Sequence, residues 1–367
     1  MVSDSILVST RKGLFTVERN NGAWRIAKAD FLGDNVTLAI ADRRSGHLYA
    51  ALDHGHFGVK MQRYADGAWH EIPAPAYPPK PEGLEEIDMW GRPIQWTTNR
   101  IWALTPGGPD QPGTVWCGTL PGGLFRSDDQ GESWSICETL WRHPKRLQWM
   151  GGGADLPGLH SICVDPRNSN HVCVGVSTGG LWFTDDGGTS WTQRGEGMRA
   201  EHVPPEMTHD PISQDVHCLV QCKSQPERMW VQHHNGIFIS SDAGRNFTEI
   251  VDVQPSVFGF PVAVHPDDPD TAWFAPEIKD ERRIPVGGKL VVTRTRDGGK
   301  NFETLSRGLP QEHAYDLIYR HALDIDESGN RLVMGSTTGG LWVSENQGDE
   351  WQMVSHTLPP IYATRFA

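Results

Sequence analysis

One turn recurs along this chain and constrains its fold more than any other feature. Ser127-x-Asp129-x-Gly131-x-x-Trp134 returns as Thr184-x-Asp186-x-Gly188-x-x-Trp191. It returns again at Ser240, Asp242, Gly244 and Phe247, and at Thr295, Asp297, Gly299 and Phe302. A last copy, Ser344, Asn346, Gly348 and Trp351, carries Asn in place of Asp. The aromatic anchors are spaced 57, 56, 55 and 49 residues apart. Shortened copies lie at Asn20-Asn21-Gly22-Ala23-Trp24 and Tyr64-Ala65-Asp66-Gly67-Ala68-Trp69, so the chain holds seven units. A fixed period of this size marks a repeat architecture.

Each unit has one internal order. An alternating apolar run such as His160-Ser161-Ile162-Cys163-Val164 comes first, then a turn, Asp165-Pro166-Arg167-Asn168. A second run follows (172–176), then a Gly-Gly turn, a third run (181–184), the recurrent turn and a fourth run starting at Trp191. Four short strands with turn signals roughly every ten residues form a β-meander. Seven meanders predict an all-β, seven-bladed β-propeller of four-stranded blades. The blades fall at about 361–367 plus 1–30, 35–75, 100–141, 159–198, 216–253, 258–308 and 320–356. The N-terminus supplies a second and third strand with no first before them, and residues 361–367 supply a first strand with nothing after it. The C-terminal strand is therefore expected to complete the first blade, removing an open sheet edge.

Composition then takes its place. The 367 residues would suggest two domains of ~150 residues by length alone. A single ring of repeats replaces that expectation, and its turns absorb many of the 40 glycines. The 33 Lys and Arg against 46 Asp and Glu give a net charge of −13, the wrong sign for a nucleic-acid partner. No apolar run of ~18 residues is present, so no membrane span is expected. The apolar start at Ser5–Ser9 is too short for a signal-peptide core, and the six Cys show no CxxC. A cytoplasmic location follows as the expectation.

The recurrent turn resembles the Asp box of the BNR-repeat family, which includes sialidases and sialidase-like propellers. The resemblance covers nearly the whole chain and implies the propeller fold. It implies function only weakly, because function lives in sites grafted onto a fold. In that family the box lies on the face away from substrate. Asp129, Asp186, Asp242 and Asp297 are accordingly expected to be structural, each capping turn amides.

The long loops share the opposite face. Residues 75–99, 141–159, 199–216 and 277–288 carry the length and the unusual side chains, which suggests a functional face. Aligned units place Thr37, Arg100, His160, His217, Phe260 and His321 at the start of the innermost strand. They place Arg11, His54, Pro121, Thr178, His234, Glu277 and Thr338 at the end of the second strand. Both rings should meet at the channel mouth, and five of the chain's 16 His fall in them. Imidazoles converging from several blades can hold a divalent transition metal such as Zn or Fe. The expected ligands are His160, His217, His321 and His234. Glu277 is the candidate general base, His54 a further candidate at the site, and Trp90, Trp96 and Trp149 are candidates to stack on a sugar or aromatic ring.

The leading expectation is an enzyme acting on a small polar, anionic or sugar-like substrate by hydrolytic or lyase chemistry. A metal-free sialidase-like glycosidase is the competing one. Arg11, Arg100 and Arg320 could grip a carboxylate there, with Tyr319, beside Arg320 and close to Asp316, as the reactive phenol. A non-catalytic binding or assembly propeller is the third. Each His, Trp and Arg taken singly also has a structural reading, as a hydrogen-bonded or loop-packing residue. No Gly-x-Ser-x-Gly elbow or phosphate-binding loop is present.

Overall fold

The computed structural model describes residues 2–88, 90–152 and 154–367. Among these described residues twenty-eight strands form seven antiparallel four-stranded sheets. The innermost strands are Ile361–Phe366, Asn35–Asp42, Arg100–Pro106, Leu159–Val164, Val216–Gln221, Gly259–Val264 and Leu323–Ile325. Each contacts the next, and the last contacts the first, so the ring is closed. Closure is made as the termini predict. Ile361–Phe366 pairs with Ser5–Thr10, with Ile6 opposite Phe366 and Leu7 opposite Arg365.

The strands form because both faces of each blade are covered by its neighbours. Val172–Val176 is buried at every position, and so is Met229–His233. Outermost strands such as Thr192–Arg194 meet solvent. The core is therefore a set of layers between blades. One layer joins Trp116, Trp149, Leu159, Val174, Trp182 and Trp191.

The recurrent turn seals these layers. In the copy at Asp242, the carboxylate accepts hydrogen bonds from Ser240 Oγ (2.9 Å), the Asn246 amide (2.9 Å) and Asn246 Nδ2 (2.7 Å). Two consecutive left-handed residues, Ala243 (φ 60°) and Gly244 (φ 74°), turn the chain. A Cβ on Gly244 would come within 2.3 Å of the Phe183 ring in the preceding blade. Asp129, Asp186 and Asp297 make the same bonds within their own turns. Hydrogen bonds from Ser190, Thr184 and the Ser190 amide pull the Asp186 carboxyl down to about 2. These aspartates are spent on local structure.

One irregularity recurs where it matters. Six of the innermost strands carry a register shift near their start: at Ile361/Ala363, Val36/Leu38, Ile101/Ala103, Leu159/Ser161, Val216/Cys218 and Gly259/Val262. A β-bulge leaves one residue unpaired and re-aims its side chain. His160 and His217 occupy this position.

Candidate functional site

The blade built on Val216–Gln221 concentrates the chemistry. Its first two strands form a hairpin whose open end is tied by the His234 amide donating to the Asp215 carbonyl (2.9 Å). Asp215 and His217 stand two apart at one side of that end, and His234 follows the second strand. The bulge at Val216/Cys218 turns the His217 side chain so that its ligand atom meets that of Asp215. Among the described residues, Asp215, His217 and His234 are the group whose metal-ligating atoms all lie within 4.8 Å of one another. Asp215 Oδ2 is 3.5 Å from His234 Nδ1. That is long for a hydrogen bond, but it is near the roughly 3.4 Å expected between two ligands sharing one tetrahedral ion with ~2.1 Å bonds.

The surroundings hold these groups ready. His217 Nδ1–H donates to the Gly259 carbonyl (2.7 Å), which leaves Nε2 as the free lone pair. An imidazole oriented by its second nitrogen is the usual state of a metal-ligating histidine. The ring stacks on Phe260, with centroids 4.5 Å apart and planes 10° apart. Burial pushes His217 down to about 4 and thereby keeps it neutral. Burial alone would raise the Asp215 carboxyl, but His217, His234, His233 and His202 around it hold it below the ordinary carboxylate value. Asp215 Oδ1 is buried with no hydrogen-bond partner. Orphaned carboxylate oxygens inside proteins are costly, so such an atom calls for a ligand.

A cavity of about 520 Å³ opens over this group, walled by Gly152, His202, Asp280 and Arg283, with Trp90 at the rim. Arg283 pairs with Asp280 (2.5 Å) and lies over Phe260, 5.2 Å from the ring centre. His202 faces His234 at 5.5 Å between ring centres. The loop that carries His202 is pinned by Arg199, which donates twice to Glu249 at 2.7 Å, and by the Glu201 amide on Asn235 (3.0 Å). Gly152 comes so close that a Cβ there would sit 2.7 Å from Asp215 Oδ1.

The structure distributes the sequence-derived candidates into three places. His217, His234 and Trp90 line the cavity. His160, Arg320 and His321 lie deeper in the channel and line a second cavity of about 630 Å³ that opens on the opposite face. His321 Nε2–H donates to the His160 carbonyl (2.8 Å), which commits that nitrogen to the backbone. Neither His160 nor His321 belongs to the ligand group around Asp215.

The remaining candidates sit elsewhere. Arg100 reaches Asp53 (3.4 Å), and Tyr319 stands 6.1 Å from Tyr362, near which Arg11 and Arg100 also place their charge. His54 lies 3.7 Å from Asp34. Trp96 donates to Glu86 (2.8 Å) and packs edge-on against Trp141, and Trp149 is buried against Trp182. Glu277 is 1% exposed and is not among the cavity-lining residues. Burial, with Asp316 adding to it against an opposing Ile318 amide, pushes Glu277 up to about 9. Burial thus favours its protonated form at neutral pH, the form of an acid rather than of the expected base. Asp215 and His202 are the residues that blade alignment does not single out. The Asp-x-His spacing before the strand was the available signal for Asp215.

Fold and cavity together define a class: a seven-bladed β-propeller with an acid–imidazole cluster at one mouth of its channel. No family model matches the chain. A curated relative, "Probable oligoxyloglucan-reducing end-specific xyloglucanase" of Neosartorya fischeri, is 22% identical over 286 residues, or 70% of this chain and 32% of that protein. The chain thus spans about a third of that relative's length. An ancestral GH74 enzyme superposes with a TM-score of 0.59 at 16% identity, covering 86% of this chain and 38% of the other. YCF48 bound to D1 peptide superposes with a TM-score of 0.54 at 13% identity, covering 89% and 84%. These likenesses support a propeller family. Among the described residues no helix is long and apolar enough to cross a membrane.

Proposed function

We propose that Asp215, His217 and His234 bind a divalent transition metal and that the cavity above them is the active site of a metal-dependent enzyme. Two imidazoles and one carboxylate leave coordination positions open for water and substrate, the pattern that serves hydrolytic Zn sites and non-haem Fe(II) sites. The observation that carries this reading is the convergence of three ligand atoms at the floor of a walled cavity, one beside an orphaned carboxylate oxygen. A bound ion would supply a polarised substrate oxygen or an activated water.

The chain's own residues supply the rest. Arg283 offers a guanidinium to an anionic or hydroxyl-rich group, Trp90 a ring for stacking, and His202 a nitrogen that can hold a proton opposite the ligands. A small polar, sugar-like substrate fits this inventory. The carbohydrate activity in the fungal relative's name supports the same substrate class. Kinship with the Asp-box propellers belongs to the same proposal and rests on the recurrent turn.

Chelator-stripped protein should take up stoichiometric Zn²⁺ or Mn²⁺ in a calorimetric titration. His217→Ala should abolish that uptake, and Trp90→Ala should leave it unchanged. Absence of saturable uptake by the wild type for either ion would overturn the reading.

A second reading, metal-free glycoside hydrolysis, is favoured by the second carboxylate in the cavity, Asp280, which would pair with Asp215 as acid and nucleophile or base. It predicts turnover of an aryl glycoside that survives chelator and is lost in Asp215→Asn. Turnover that disappears on chelation and returns with metal would exclude it.

A further inference from the structure

Two of the six cysteines face each other across a ladder. Leu159–Val164 pairs antiparallel with Val172–Val176, and Cys163 stands directly opposite Cys173. Both side chains therefore lie on one face of the sheet. They enter the layer against the next blade, with Leu181, Leu219 and Val231. The other thiols have no such partner. Cys117 stands opposite Leu104 and Phe125, and Cys218 opposite Gln232. Cys137 donates to the Gly188 carbonyl (3.4 Å), and Cys222 to the Pro266 carbonyl (3.2 Å).

The register suits a bond between the sulfurs. The Asp165 amide donates to the His171 carbonyl (2.9 Å), so that pair is of the hydrogen-bonded kind. The two kinds alternate along an antiparallel ladder, which makes Cys163 and Cys173 a hydrogen-bonded pair as well. Cα atoms in such a pair stand about 5.5 Å apart, near the separation that disulfides favour. The Cβ atoms must draw together by roughly 1 Å. A bond made under that constraint is reduced more readily than an unstrained structural one. The thiols already interact, since the Cys163 side chain, ahead of burial, pushes the Cys173 thiol up.

The two differ in access. Cys173 is 3% exposed. Cys163 is half-buried and lines the cavity of about 630 Å³ that opens on the face opposite the Asp215 cluster. Its Sγ makes one long contact, 3.7 Å to the Leu219 carbonyl. A small oxidant in the cavity therefore meets Cys163 first, and Cys173 waits directly behind it as the second thiol. Reactive pairs of this kind join an accessible sulfur to a close resolving one.

We propose that Cys163 and Cys173 form a redox modification site, at which hydrogen peroxide entering the cavity converts the two thiols to a reversible disulfide. The Cys163 sulfur attacks one peroxide oxygen, the O–O bond breaks, and the far oxygen leaves as water with the thiol proton. Cys163 is left as a sulfenic acid. The Cys173 sulfur then attacks the Cys163 sulfur. The S–S bond forms, the S–O bond breaks, and a second water leaves with the Cys173 proton. The thiols give up two electrons in all, and one peroxide becomes two waters. The bond ties the innermost strand of this blade to the second, so it stabilises the folded ring. The site shares no residue with the proposed metal cluster and does not rest on it.

The test treats reduced wild type with hydrogen peroxide and maps its peptides without reduction. Two of the six thiols should be lost, and one linked peptide should join Cys163 to Cys173. Dithiothreitol should restore both thiols. The oxidised protein should melt a few degrees above the reduced one. Cys163→Ser should keep its thiols under the same treatment. Cys173→Ser should stop at the Cys163 sulfenic acid, trapped as a dimedone adduct. The wild-type map decides the matter even if a variant folds poorly. Thiols unchanged under peroxide that oxidises free glutathione in the same tube would overturn the proposal. So would a bond mapped from Cys163 to Cys218, which lines the same cavity. Zn²⁺ uptake plays no part in either outcome, so the metal reading stands or falls separately.

Discussion

Gly152 and Asp215 show how finely the site is fitted. A methyl group at 152 would press to 2.7 Å on Asp215 Oδ1, on the carboxylate of the ligand group. Gly152→Ala should therefore lower Zn²⁺ affinity at least tenfold while leaving Tm within a few degrees, as read by calorimetry and thermal melts. Glu277 makes a different prediction. Its folded pKa of about 9 stands above the ordinary glutamate value of ~4.3. A group raised on folding contributes stability fully below its unfolded pKa and loses it as pH climbs to the folded one. Wild-type Tm should thus fall between pH 5 and 9, and Glu277→Gln should flatten that slope and melt several degrees higher at pH 9. A Glu277→Gln slope equal to wild type would refute the buried, protonated acid.

At this scale the sequence was partly legible. His217 and His234 fall out of blade alignment because both are set by strand ends. Asp215 does not, because it precedes the strand and has no counterpart ring. His160 and His321 were legible as channel residues but not as occupants of another cavity. Depth along a channel depends on strand tilt and stagger, which spacing in sequence does not encode. Trp149 reads in sequence as a loop aromatic, yet it packs against Trp182 because the loop folds back over the inter-blade layer.

Elements were more legible than residues. The period-two runs, the Gly-Gly turns and the Asp-containing turn mark all four strands of the later blades. Blades with full turns announce themselves, and the first two rest on shortened copies whose Trp anchors still pack: Trp24 donates to Glu345 (2.9 Å) across the closure. The bulge at His160 and His217 is the part that sequence does not show, since one extra residue leaves the alternation locally ambiguous. The turn itself predicts a stability effect. Asp242→Ala removes three hydrogen bonds from one turn and should cost about 1–2 kcal/mol, read from denaturant midpoints. Burial alone would raise this carboxyl, but the Asn246 and Ser240 bonds hold it below the ordinary value. Its contribution is then present above the unfolded pKa of ~3.9 and is lost as pH falls through the lower folded value. The wild type and Asp242→Ala melts should accordingly converge toward pH 2.

For the whole molecule, the ring is what brings distant residues to one mouth. Closure rests on Ile361–Phe366 beside Ser5–Thr10, so deleting 361–367 exposes the edge of the first blade and the flank of the last. The truncated chain should lose cooperative melting and be cut early by protease within the first blade, and unchanged melting would count against closure by this strand. A closed ring also explains why the channel holds unlike groups at its two ends, the Asp215 acid–imidazole cluster near one face and Arg320 with His160 lining the cavity that opens on the other. The measurement that bears most directly on this picture is diffraction from crystals grown with Zn²⁺, with data above and below the Zn absorption edge. The account predicts one anomalous peak within bonding distance of Asp215, His217 Nε2 and His234, absent in His217→Ala. Zn²⁺ found only at surface residues, with the Asp215 cluster vacant in the wild type, would contradict it.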